Sequence, residues 1–401
     1  MNPEQDNTTA VLDELVVDTH HLGAVRRVLG ELRIEDAVKD AIPEFDLTLL
    51  TLKHGDTQDP VTDLDPVLTE VRARIAGRSG GWTPVIGKNR KMGSVFGAYP
   101  QTKSQAFWNP MAADHVGPWL EGDAGRGVRV GMVDTKIYKH AQLTDSVLAA
   151  EDDWFTKDRL GTSYFEEGHG AFVAGLILKK APGATVVARA ALRPDGKAEA
   201  WEVVKKLATF LADKPEDRVH LIVMANGCRT HDGQPPLILE RAVERLSPHI
   251  TIVAAAGNHG GFLGMTSSTL ITRNSATWPA ALPGVIAAGV PVSSDPDPTT
   301  HYSPDLPWVT HIVQPEEGDT FTSTYLDSAT VTMLKGDPAK DLTTGYATWR
   351  GTSCAAAYLG GLIAARMPES GMDTAQALAC VAAGPLVDDF VWPRDTETAH
   401  Q

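Results

Sequence analysis

The sequence predicts an α/β domain with a mainly parallel central sheet between layers of helices, preceded by a small α+β module at the N-terminus. Three observations lead there. From residue 111 onward, short β-like runs alternate with segments of helical period. Those runs are continuously apolar, which marks strands buried on both faces. The residues able to carry chemistry in this half, Asp134, His169, Asn258 and Ser353, fall at strand ends or helix starts, where open α/β sheets hold their sites.

Residues 1–10 are polar and terminal. Within 11–76, Leu12–Val17 and Phe45–Leu52 read as strands. His21–Leu32 reads as a helix, with Leu22, Val25, Val28, Leu29 and Leu32 at helical spacing. Pro66–Ala76 reads as a second helix, its proline in the tolerated first turn. Residues 77–110 are rich in glycine, proline and polar side chains and read as a linker. Lys88-Asn89-Arg90-Lys91 is expected to be a solvated loop within it, and Trp108 to mark where packing resumes. The strands of the larger domain are expected at Val128–Val133, Thr185–Leu192, His220–Ala225, Ile250–Ala256 and Val285–Val290. Its helices are expected at His169–Leu178, Ala198–Leu211, Pro235–Leu246, after Ser353, and at Thr374–Val381. The expected domains are thus 1–76, the N-terminal module; 77–110, the linker; 111–392, the α/β domain; and 393–401, a C-terminal tail.

Composition excludes several classes of function. A formal net charge of −15 argues against nucleic acid and anionic membrane surfaces as partners. No apolar run reaches membrane-spanning length. The acidic start MNPEQDNTTAVLDELVV lacks the basic end and apolar core of a secretory leader, so a cytoplasmic location is expected. Cys228, Cys354 and Cys380 are odd in number and far apart, which gives neither a disulfide framework nor a metal spacing.

The stretch Gly345–Met367, GYATWRGTSCAAAYLGGLIAARM, places Ser353 before a run of small and apolar residues that reads as a buried helix. Gly351 suits a tight bend, and Thr352 or Ser353 can cap the helix. A hydroxyl at that helix start lies near the positive end of the dipole, which favours developing negative charge. Capping alone would explain a serine here, so its chemistry depends on partners elsewhere. Asp134 ends the first apolar run of the domain, GVRVGMVD. His169 starts a helix between two glycines, Gly168 and Gly170, which allow another backbone to come close. Asn258 follows the run Thr251–Ala256 through Gly257, and its amide can donate to an oxyanion. A serine nucleophile needs a base, the base needs a carboxylate, and the tetrahedral intermediate needs donors; each part occurs once.

With these residues in view, the chain resembles the subtilases, the subtilisin-like serine proteases. VRVGMVDTKI is similar to the family's aspartate motif, GHGAFVAGLI to its histidine motif, IVAAAGN to its oxyanion strand, and YATWRGTSCAAAYLGG to its serine motif. WPAALPGVIAAGV matches a further segment, and the order Asp, His, Ser is that of subtilisin. The resemblance covers about residues 111–383 and implies a subtilisin-like three-layer fold. It implies Asp134 as orienting acid, His169 as general base and acid, Ser353 as nucleophile, and Asn258 with the Ser353 N–H as oxyanion donors. It also implies an extended substrate along Ala225-Asn226-Gly227 and Ala254-Ala255-Ala256-Gly257, the walls of the primary specificity pocket. Thr277 falls where the pocket floor is often glycine, so a small or medium residue is expected before the scissile bond.

The departures from the family pattern are Lys136 for glycine, Ala171 and Phe172 for threonine and histidine, Cys354 for methionine, Ala357 for proline and Ala225 for serine. None removes a proton-transfer group. Cys354 reads as a buried filler. Family members often bind structural calcium, but no carboxylate cluster here demands it; Asp152, Asp153, Glu166 and Glu167 read as a solvated rim, and no cofactor is expected beyond the structural calcium that the resemblance leaves open. Many members carry an N-terminal propeptide of order βαββαβ, which residues 11–76 match in part. The module is either such a propeptide, cut within 77–110, or a retained accessory domain. The function expected is a serine endopeptidase acting on peptides or proteins and restrained by its N-terminal region or a regulatory partner. The alternative is an inactive peptide-binding scaffold of the same fold.

Overall fold

The computed structural model describes residues 9–94, 110–113, 122–155, 162–261, 272–292, 301–316, 318–327, 329–332, 339–342, 344–367, 373–383 and 391–393. The N-terminal module consists of β1 (Ala10–Asp18), α1 (Leu22–Glu31), β2 (Ile34–Ile42), β3 (Leu47–His54), α2 (Asp65–Arg78) and β4 (Ile86–Ser94), a βαββαβ order. Its antiparallel strands lie in the order β4-β1-β3-β2.

Two of these strands lie outside the sequence expectation. β2, IEDAVKDAI, is an edge strand, and its middle faces solvent, so charge stands where a strand is usually apolar. β4 corrects the reading of 77–110 as a linker and of Lys88–Lys91 as a solvated loop. Lys88, Asn89 and Arg90 are buried. Lys88 Nζ pairs with Asp65 at 2.8 Å, and Asn89 Nδ2 donates to Glu14 Oε2 at 2.6 Å. Partners of this kind are what let polar groups enter a core. Trp108 and residues 394–401 lie outside the described residues.

The larger domain continues with β5 (Arg129–Asp134), β6 (Val147–Leu148), α3 (His169–Lys180), β7 (Thr185–Ala190), β8 (Lys197–Glu199), α4 (Ala200–Ala212), β9 (Leu221–Met224), β10 (Asn226–Gly227) and α5 (Leu237–Leu246). Then come β11 (Thr251–Ala255), β12 (Val285–Gly289), β13 (His311–Val313), β14 (Phe321–Thr324), β15 (Tyr346–Trp349), α6 (Thr352–Arg366), α7 (Thr374–Ala383) and β16 (Val391–Pro393). The central sheet runs β16-β13-β12-β11-β9-β5-β7-β6 and is parallel except for β16.

Successive residues of the central strands point to opposite cores. Val130, Met132, Leu221, Val223, Val253 and Ala255 pack with α3 and α6. Val133, Ile222, Met224, Ile252 and Ala254 pack with α4 and α5. This is a three-layer α/β fold, and its central strands read as unbroken apolar runs because neither face meets water.

The outer surface of α4 and α5 is covered in turn by the module. Val16, Ile42, Phe45, Leu47 and Leu49 join the core that holds Trp201, Val204, Leu207, Ile238 and Ala242. Arg241 pairs with Asp18 at 2.8 Å, and Lys205 with Asp40 at 2.6 Å. Asp40 also accepts from Trp201 Nε1 at 3.0 Å. The α4 start has no side-chain cap of its own, and Asn89 Oδ1 accepts the Trp201 N–H there at 3.0 Å.

Candidate active site

β5 delivers Asp134 to the carboxyl end of the sheet, 1% exposed. Its Oδ1 accepts from the Thr135 N–H and from His169 Nδ1, each at 2.8 Å. Because a carboxylate can only accept, Nδ1 carries the proton and Nε2 is left as the basic atom of His169. The close approach of α3 depends on glycine: a Cβ on Gly170 would lie 2.7 Å from the Thr135 carbonyl oxygen. The Gly170 N–H instead donates to Thr135 Oγ1 at 2.9 Å, which ties the start of α3 to the end of β5. The His169 ring also stands edge-on to Trp349, with centroids 5.5 Å apart.

At the other side of the site, Gly351 has φ 146, a conformation that favours glycine. It is also the residue before α6, and neither Thr352 nor Ser353 caps that helix, contrary to expectation. Thr352 works across the site instead. Its N–H donates to Asn258 Oδ1 at 2.9 Å, and its hydroxyl accepts the Gly257 N–H at 2.8 Å. These two bonds lock the end of β11 to the start of α6. With Oδ1 engaged, Nδ2 is the atom of Asn258 turned toward Ser353. A Cβ built on Gly351 would lie 3.2 Å from Ser353 Oγ and 3.3 Å from Asn258 Nδ2, so both flank one point.

Ser353 is 6% exposed, and its hydroxyl has Cys354 Sγ at 3.9 Å. Among the described residues no hydrogen bond joins it to His169. Such bonds are often long before substrate binds. The Ser353 N–H lies in the first turn of α6, where intrahelical acceptors are lacking. Burial pushes the Cys354 thiol up to about 12, so it stays protonated.

Ala225, Asn226, Ala254, Ala255 and Ala256 are buried along the β10 and β11 edges. Asn226 Nδ2 donates to the Val133 carbonyl at 2.5 Å, which holds β10 against the Asp134 strand. Thr277 lies between the two glycines: its Cγ2 is 3.2 Å from where a Gly227 Cβ would stand, and its Oγ1 is 2.5 Å from that of Gly257. β4 occupies the remaining edge. It is antiparallel to β8 through Lys91↔Glu199, Met92↔Ala198 and Gly93↔Lys197, and to β10 through Gly93↔Gly227 and Ser94↔Asn226.

Sequence reasoning missed three residues here. Trp349 gathers Phe165, His169, Phe172 and Tyr325 around its ring. Glu166 is not on a solvated rim, nor is Asp153; both are buried. Burial pushes the Glu166 carboxyl up to about 7. His259, beside Asn258, is 1% exposed, and burial, reinforced by the charge of Arg229, pushes it down to about 3. The only sequence signal for these three was adjacency to a motif. Among the described residues no group of three or more His, Cys, Asp or Glu is arranged to hold a metal ion, and no helix is long and apolar enough to cross a membrane.

Residues 125–382 match the family model described as the Subtilase family. A curated relative, the serine protease AprX of Bacillus subtilis (strain 168), is 29% identical over 155 residues, which is 34% of this chain and 34% of that protein. The match thus spans about a third of the length of that relative. Among solved structures, fervidolysin from Fervidobacterium pennivorans, a keratinolytic enzyme related to subtilisin, is similar with a TM-score of 0.59 at 15% identity, covering 94% of this chain and 57% of that one. That likeness is one of fold. A lanthipeptide protease gives a TM-score of 0.47 at 20% identity, over 66% of this chain and 82% of that one.

Proposed function

The chain belongs to the subtilase family, and from that premise we propose that it is a serine endopeptidase cleaving peptides or proteins through an acyl-enzyme on Ser353. The observation that carries this reading is the buried Asp134–His169 hydrogen bond at 2.8 Å, at the sheet end where Ser353 Oγ and Asn258 Nδ2 flank Gly351. When substrate binds, the Ser353 hydroxyl moves within reach of His169 Nε2. Nε2 takes the proton as Oγ bonds to the scissile carbonyl carbon. Asn258 Nδ2 and the Ser353 N–H donate to the resulting oxyanion. His169 then returns the proton to the departing amine, and water attacks the ester by the reverse route. Asp134 holds the tautomer and stabilises the imidazolium.

We also infer that the N-terminal module restrains this activity. Gly93 and Ser94 of β4 pair with Gly227 and Asn226 of β10, one of the edges along which the resemblance lays an extended substrate, so the module covers that edge. The Asn89 cap on α4 further suits a module that assists folding of the domain it covers.

A fluorophosphonate should label Ser353 in the wild type and leave Ser353→Ala unlabelled; a folded wild type that takes no label overturns the endopeptidase reading. Mass spectrometry of the same two proteins reads the fate of the module. Shortening in the wild type alone means that the chain cuts itself, whereas full length in both means that the module is retained.

A further inference from the structure

The two parts of β4 are held in different ways. Toward its start, side chains anchor it: Lys88 pairs with Asp65, and Asn89 bonds both Glu14 and the Trp201 N–H. At Gly93 and Ser94 the strand meets the larger domain through its backbone. It pairs with β10, and the Ser94 N–H donates to the Gly196 carbonyl at 2.8 Å. The Ser94 side chain adds nothing to this hold. It is buried, and its Oγ makes no hydrogen bond. A buried hydroxyl without a partner opposes docking, so this end of β4 is the weaker one.

The acid beside that end is Glu166, in the turn that leads into α3 and His169. A Cβ on Gly196 would lie 2.6 Å from Ser94 Oγ and 3.0 Å from Glu166 Cβ and Cγ, so the two side chains share one glycine. Asp195 and Lys197 face Glu166 from the turn between β7 and β8, and His169 faces it from α3. Tyr325, which follows β14 and donates to the Phe165 carbonyl, faces both Glu166 and Glu167. Lys197 Nζ is engaged by Asp195 at 3.2 Å, and among the described residues no cation forms an ion pair with Glu166. Burial therefore dominates and favours the neutral acid. Once ionised, a carboxylate with no counter-ion gains most from water, and lifting Ser94 away from Gly196 admits it.

We propose that the Gly93–Ser94 end of β4 is a pH-gated strap, which lies on the β10 edge while Glu166 is protonated and lifts when Glu166 ionises, the Lys88–Asn89 part staying anchored. The proton passes to solvent. The docked state holds the raised carboxyl and the lifted state the ordinary one. Docking is therefore strongest below 4.5, weakens as pH rises toward about 7, and changes no further above it. The consequence, that an uncovered β10 edge frees the site, rests on the restraint reading above; the lifting itself does not.

The test is amide hydrogen exchange on the full chain carrying Ser353→Ala, each rate divided by its intrinsic rate at that pH. Protection of the Ser94 amide should fall at least about tenfold from about pH 5 to about pH 8. The Trp201 amide, bonded to Asn89 in the anchored part, should keep its protection, as should β1. Adding Glu166→Gln should abolish the fall. If that variant fails to fold, Lys197→Gln decides: its side chain is 68% exposed, and losing its charge should move the fall to higher pH. Constant protection at Ser94, a fall that survives Glu166→Gln or is unmoved by Lys197→Gln, or an equal fall at Trp201 and β1 overturns the proposal. The restraint reading has its own readout, the rate at which a peptidyl fluorophosphonate labels Ser353 in the wild type relative to Glu166→Gln. That ratio should rise over the same pH range. Lifting at Ser94 without the rise overturns the restraint reading and leaves the strap standing.

Discussion

The central sheet of the larger domain and the strands β1 and β3 of the N-terminal module are both largely buried on two faces, but by different means. The central sheet is covered by its own helices, α3 and α6 on one side and α4 and α5 on the other. The module covers only one face itself. Leu15, Val17, Leu50 and Leu52 pack under α1 and α2 with Val25, Leu29, Val71 and Ile75. The alternate residues Val16, Leu47 and Leu49 pack on α4 and α5. One half of the molecule is therefore a complete layered fold, and the other is a half-fold whose second layer belongs to its neighbour. The contrast fits the restraining role proposed above, since the second face of the module is completed only by the larger domain.

The largest effect should come from separating the two. The module alone, residues 9–94, would expose the face of Val16, Phe45, Leu47 and Leu49 and is near the size where a single core becomes marginal. It should show little tertiary signal by near-ultraviolet circular dichroism and gain it when the Ser353→Ala larger domain is added. A sharp, independent melt would break the comparison. Within the full chain, Phe45→Ala, at a fully buried position, should cost about 3 kcal/mol, measured by denaturant unfolding. Asn89→Ala removes the cap on α4 and the partner of Glu14, and should cost about 1–2 kcal/mol by the same measurement.

Much of the larger domain was legible because its physical demands leave marks along the chain. Double burial makes β5, β9 and β11 continuous apolar runs, and the close approach of α3 to β5 requires Gly170. The module was half legible for the same reason in reverse. β2 is a solvent-facing edge, and Lys88 and Asn89 of β4 are buried only because Asp65, Glu14 and Trp201 meet them from distant positions. Trp349, Glu166 and His259 take their roles from tertiary neighbours that local pattern does not encode. Thr352 was read as a cap because its spacing fits one, but its hydroxyl is claimed by the end of β11.

The smaller effects are pH-linked, and they separate the two regions again. Burial raises Asp18, but the hydrogen bonds from Arg241 and the His20 N–H, together with the charges of Arg241 and His21, outweigh this and hold it below 3.8. Lys205 and then Trp201 hold Asp40 below the same value. Depressed carboxyls stabilise the docked module above their ordinary range, and that contribution is lost as pH falls through the shifted values. Glu166 has the opposite sign. The folded protein keeps its proton up to about 7 against an ordinary 4.5, so stability falls as pH rises between those values. Melting temperature should thus decline toward acid and, more gently, from weakly acidic to neutral pH. Glu166→Gln should flatten the second limb and leave the first, and Asp40→Asn should soften the first alone.

The most direct test of the account concerns the coupling of Asp134, His169 and Ser353. The rate at which a fluorophosphonate modifies Ser353 should fall on the order of 10³- to 10⁴-fold in Asp134→Asn, because the imidazole then loses its tautomer and its counter-charge. Equal rates in a folded variant and in the wild type would contradict it.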